Sequence, residues 1–148
     1  MRHFNSVTSK LAKSFLVILA ALIFQSCSYN VNISRNPEYS GIIKRDLVTK
    51  RSLNLYPIDY NMNSYRDRHE LGTWMLGVPL IGVIQPGHHV YFERAIRRDG
   101  FNQPGLENLN GYLIYKDINY PISYSVGAPS DNAARKKQIE RNFEIVTD

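Results

Sequence analysis

The chain has a single cysteine, Cys27, and so no second thiol to pair with it. Small secreted domains stapled by disulfides carry an even set, so this chain must rely on a packed core. Acidic residues are missing from its first twenty-six positions, which hold Arg2, Lys10 and Lys13. A long apolar run is missing too: the longest, Phe15 to Phe24, has ten residues between polar Ser14 and Gln25. At about 1.5 Å per residue, ten residues cover roughly 15 Å, about half of a hydrocarbon core roughly 30 Å thick. That run is too short to remain as a membrane span. HExxH, paired Cys/His spacings, G-x-S-x-G and closely spaced carboxylate pairs are also missing, so no catalytic residue and no metal site is expected. The sequence predicts a protein that is not an enzyme.

What is present at the start is a charged n-region, an apolar h-region and small residues behind it, the pattern of a secretory signal. Ser26-Cys27 at its end resembles the lipobox of bacterial lipoproteins, over roughly Arg2 to Ser28, although Phe24 and Gln25 depart from the residues that family prefers. The resemblance implies a signal peptide over 1–26 and a diacylglyceryl group on the Cys27 thiol, often with a further N-acyl chain. No other cofactor is expected. One acyl chain binds a bilayer only marginally, whereas two or more anchor stably. Ser28, where inner-membrane lipoproteins commonly carry Asp, implies an outer-membrane address facing the periplasm. Cleavage after Ser28 by an ordinary signal peptidase is the competing reading.

Loss of the leader changes the charge argument. The chain is +5, but removing Arg2, Lys10 and Lys13 leaves fifteen basic side chains against thirteen acidic ones, a balance of +2. Basic residues sit together at Arg97-Arg98 and at 135–137, "RKK". Both read as solvated faces, since a nucleic-acid surface needs a wider stripe with interleaved aromatics. No nucleic-acid partner is expected. Residues 27–41, rich in Asn and Ser, read as the lipidated N-terminus and a flexible tether, and 42–148 as one small domain.

Within that domain the apolar pattern is mostly strand-like. Residues 42–48, 52–58 and 89–95 show partial alternation, and 112–126 set Leu113 and Tyr115, then Ile122, Tyr124 and Val126, on one face around a "KDIN" turn. Residues 97–111 hold Asp99-Gly100, Pro104-Gly105 and Asn110-Gly111, and read as a long turn-rich link. The C-terminal part changes period: Ile139, Phe143 and Val146 fall at i, i+4 and i+7 behind Ser130 and Asp131, which can cap. A short terminal strand over 143–146 is the alternative there. The expected fold is α+β, mostly antiparallel β-sheet with one C-terminal amphipathic helix.

Residues 72–87, "GTWMLGVPLIGVIQPG", space glycines every five positions among large apolar side chains. Five matches neither the strand nor the helix period, and Gly77 and Pro79 argue against one long helix. Two buried strands around a bend are one reading. An exposed loop that docks on lipid or a partner is the other, with Trp74, Met75, Leu76, Val78, Leu80 and Ile81 as the contact residues. His88-His89 follows, but neighbouring strand residues point to opposite faces, so the pair cannot share a metal in regular backbone. The sequence therefore predicts a lipid-anchored cell-envelope protein acting as a structural or interaction module. Its partners would be membrane lipid, through Cys27, and an envelope protein. A lipid-anchored periplasmic domain that binds a small ligand or acts as an enzyme is the alternative.

Overall fold

The computed structural model describes residues 28–57, 68–72, 77–100, 103–127 and 132–147. Its strands are β1 (Ser28–Asn32), β2 (Asp46–Thr49), β3 (Leu53–Tyr56), β4 (His69–Gly72), β5 (Gly82–Ile84), β6 (His89–Gly100), β7 (Gln103–Tyr115), β8 (Ile118–Gly127) and β9 (Phe143–Ile145). Two helices, α1 (Pro37–Ser40) and α2 (Asn132–Asn142), complete the described elements. The strands form one sheet in the order β5-β3-β4-β8-β7-β6-β2-β9, with β1 on the same edge of β6 as β2. Every pairing is antiparallel except β4 with β8. The α+β, mostly antiparallel expectation holds, and the one parallel pair makes the sheet mixed.

The β7–β8 hairpin follows from its sequence. Lys116 and Asp117 both take positive φ, 51° and 63°, in a two-residue turn whose twist suits flanking strands. Alternation then carries Leu109 and Leu113 of β7 and Ile122, Tyr124 and Val126 of β8 into the core. The sheet curls around that core. Thr49 at the end of β2 ties it to the β5–β6 connection: its carbonyl accepts from the Gly87 N–H at 2.7 Å, and its hydroxyl donates to the Gln85 carbonyl at 2.7 Å. On the inner side Phe92, Tyr124 and Phe143 pack as an aromatic trio, with Phe143 edge-on to each of the others at 5.2 and 5.0 Å. Such pairs add about 0.5–1.5 kcal/mol each beyond their buried area.

Three sequence expectations are corrected. Residues 28–41 are not a tether: β1 pairs with β6 from Ser28↔Gly100 to Asn32↔Ile96, and Ile33 and Tyr39 are buried in the core. Their polar composition suits an edge strand, whose hydrogen bonds come from the backbone and need no apolar side chains. The folded domain thus begins before residue 42. Residues 97–111 are not a long link either; they are largely the paired arms of β6 and β7, from Gly100↔Gln103 back to Phe92↔Gly111. Backbone pairing with a long neighbour overrides the local turn chemistry there. The helical stripe also breaks: Ile139 lies on α2, but Phe143 begins β9, and Val146 is exposed beyond it. Ile139 and Phe143 still reach the same core.

Candidate functional site

A cleft of about 600 Å³ opens where α2 crosses the end of β4 and β8. That is within the range typical of small-molecule sites, about 300–1,000 Å³. Most of the residues that line it are polar or charged. The sheet supplies Glu70 and Gly72 of β4 with Tyr124 and Ser125 of β8, the helix supplies Lys137, Gln138, Arg141 and Asn142, and Arg51 joins from the β2–β3 connection. Lys137 and Arg141 share a helix face because they are four residues apart. Both are exposed, as is Arg51, and none of the three takes part in an ion pair among the described residues.

At the wall of this cationic mouth sits Glu70, 8% exposed. Its Oε2 has no hydrogen-bond partner among the described residues. Tyr124 stands beside it: its hydroxyl accepts from the Asn142 carboxamide at 2.5 Å and, more distantly, from Gln138 at 3.5 Å. The Oδ1 of the buried Asn142 carboxamide has no hydrogen-bond partner among the described residues. Burial raises the Tyr124 hydroxyl above its ordinary value, and the bonds from Gln138 and Asn142 partly offset this.

Glu70 also belongs to a polar row that runs straight across four strands. The register sets Tyr56 opposite Glu70, Glu70 opposite Ser123, and Ser123 opposite Asn110. Ser123 and Asn110 are fully buried, and both keep unpaired side-chain polar atoms among the described residues. Unpaired buried polar groups cost about 1–3 kcal/mol each, so a native fold retains few without a reason. The row and the cleft meet at Glu70.

Burial pushes the Glu70 carboxyl up to about 7 from 4.5, and the Ser125 backbone N–H offsets only part of that shift. A stability signature follows. Below about pH 4.5 the carboxyl is protonated in both folded and unfolded chains, and nothing is lost. Between 4.5 and about 7 the unfolded chain releases the proton first, so stability falls as pH rises through this window and levels off above it. The full loss is on the order of 3 kcal/mol. Glu70→Gln is expected to remove this component, leaving the variant more stable than wild type at pH 8 but not at pH 4.5. Thermal melts of the two proteins across that range measure it; parallel pH profiles would refute a carboxyl raised by burial.

The sequence-predicted contact residues fare differently. Trp74, Met75 and Leu76 lie outside the described residues, as does Cys27. Val78 is half-buried, Leu80 is exposed, and Ile81 packs partly against the core just ahead of β5. The three that are described thus differ in exposure, and only Leu80 of them is well exposed. His88 and His89 diverge: the first rests against the Gln85 carbonyl at 3.0 Å, the second against Asp46 at 3.0 Å. The sequence reading missed the cleft altogether. Its one available signal was Lys137 and Arg141 at helical i, i+4 spacing beside Gln138, which the solvated-face reading of "RKK" set aside. No family model, curated protein or solved structure matches the chain.

Proposed function

We propose that the chain is a lipid-anchored cell-envelope protein whose domain holds a small polar ligand in the cleft beneath α2. The observation that carries the ligand half is that one cleft is lined both by Glu70, a buried carboxylate with one oxygen lacking a partner among the described residues, and by three cations that form no ion pair among those residues. A flat interaction module has no use for a buried carboxyl that lowers its stability. The anchor half rests on the Ser26-Cys27 pattern behind the apolar run. Because β1 starts at Ser28, an acylated Cys27 would hold the folded domain directly against the bilayer rather than at the end of a tether.

Two measurements test the halves separately. Mass spectrometry of the mature N-terminus is expected to find an acylated Cys27, and Cys27→Ser to leave the protein uncleaved or soluble; an unmodified start at Tyr29 would defeat the anchor. For the ligand, a screen of small polar compounds against the full-length protein in detergent should find binders that raise the wild-type melting temperature. The same binders should lose their effect on the Lys137→Glu, Arg141→Glu double variant. If no compound discriminates the two proteins, the interaction-module reading stands instead. Exposed Leu80 and Val83, beside the segment picked out in the sequence, favour that reading, and crosslinking in intact cells would then identify the partner.

A further inference from the structure

We infer that the cleft takes a zwitterionic small molecule, its amine seated on the Glu70 carboxyl and its carboxylate held at the mouth by Lys137 and Arg141. This inference rests on the ligand-binding reading above and names the chemical class of that ligand. Two ends of the site have opposite character. Inside, Glu70 lines the cleft almost wholly buried, and beyond the Ser125 N–H its carboxylate keeps one oxygen with no partner among the described residues. At the mouth, Lys137, Arg141 and Arg51 supply three cations with no acidic partner among the described residues. A simple anion would satisfy the mouth and leave Glu70 unmatched; a simple amine would satisfy Glu70 and be repelled on entry. Only a molecule with both groups answers both ends, and the excess of cations asks for at least as many carboxylates as amines.

The two ends do not neutralise each other inside the protein. Burial, not charge, dominates the state of Glu70, and none of the three cations offsets it appreciably. Tyr124 neighbours Glu70's partner Ser123 on β8, and its hydroxyl, raised chiefly by burial, is lowered by Arg51 and raised by Glu70. An arriving ammonium is the charge that would draw the proton off Glu70. Binding should therefore release up to one proton near neutral pH, and affinity should rise with pH until Glu70 is ionised in the free protein.

The test uses the full-length protein in detergent micelles and four probes: L-glutamate, the dipeptide Ala-Glu, glutarate and putrescine. Glutarate keeps the two carboxylates of glutamate without the amine, and putrescine has amines without a carboxylate. Calorimetry is expected to show L-glutamate or Ala-Glu binding about tenfold or more tightly than glutarate, the size of one charge-assisted hydrogen bond, with putrescine undetectable. The tighter of the first two assigns the site to a free amino acid or to a peptide end. Glu70→Gln should erase the gap between L-glutamate and glutarate, whereas Lys137→Ala with Arg141→Ala should weaken both alike. The melt of each variant confirms that it is folded. Equal affinity for L-glutamate and glutarate, or no binding of either zwitterion at millimolar concentration, overturns the assignment. The ligand-binding reading itself falls only if the wider screen of polar compounds also finds nothing that discriminates the cleft variants.

Discussion

Gly111→Ala is expected to cost about 4 kcal/mol or more, a lowering of the melting temperature on the order of 15 °C, or loss of a cooperative melt altogether. Gly111 lies in the middle of β7, opposite Phe92, where β6 carries a bulge that leaves Glu93 without a partner in the register. A Cβ there would collide with the Tyr91 carbonyl oxygen and stand 2.7 Å from the Phe92 Cα. Both are backbone atoms, so no rotamer change relieves the clash; the two longest strands would have to part. They cannot part locally, because Phe92 anchors the aromatic trio and Arg68 donates to the Gly111 carbonyl at 3.0 Å. Gly72→Ala is the control, since no described residue lies within 4 Å of the Cβ position there, and its melt should stay close to wild type. A Gly111→Ala protein that melts within a few degrees of wild type would show that β6 and β7 do not approach so closely.

The same residue shows where the sequence is readable and where it is not. Asn110-Gly111 carries the local chemistry of a turn, and read alone it marks the end of a link. In the fold it marks the place where a neighbouring backbone needs room, the other meaning of glycine inside a strand. Which meaning applies depends on a bulge eighteen positions earlier on β6, and no window of local sequence contains both. By contrast, alternation over Ile122, Tyr124 and Val126 was enough to define β8 and its inner face, because the pattern and the burial are both local to the strand. The cleft falls on the unreadable side. Glu70 is one carboxylate in "RHELG", and its burial comes from a parallel partner more than fifty residues away. The "RKK" run likewise splits in the fold: Lys136 and Lys137 are exposed, while Arg135 turns inward to a buried acid.

That inward turn carries the second large expectation. Arg135→Ala is expected to cost about 3–5 kcal/mol, the range for stripping one partner from a buried ion pair. Arg135 Nε lies 2.8 Å from Glu107 Oε2, and its Nη1 lies 3.6 Å from Glu38 Oε1. The Glu107 and Glu38 side chains are only 2% and 4% exposed, so neither can turn to water when the guanidinium is gone. Tyr39 donates its hydroxyl to Glu107 from within the core, and burial together with that bond raises its own ionisation well above the ordinary tyrosine range. It remains a neutral donor and cannot replace the lost cation. These four side chains join α1 to β7 and α2, and so fix the N-terminal segment that composition alone marks as a tether. The cost should therefore come from the uncompensated charge rather than from lost packing, and a second change separates the two. Glu107→Gln keeps the shape and the Tyr39 hydrogen bond while removing the charge. In the Arg135→Ala background it should restore more than half of the lost stability, although alone it should destabilise. Urea titration of the four proteins of this double-mutant cycle measures the coupling. Additive effects, or an Arg135→Ala protein within about 1 kcal/mol of wild type, would reduce the pair to the standing of a surface salt bridge.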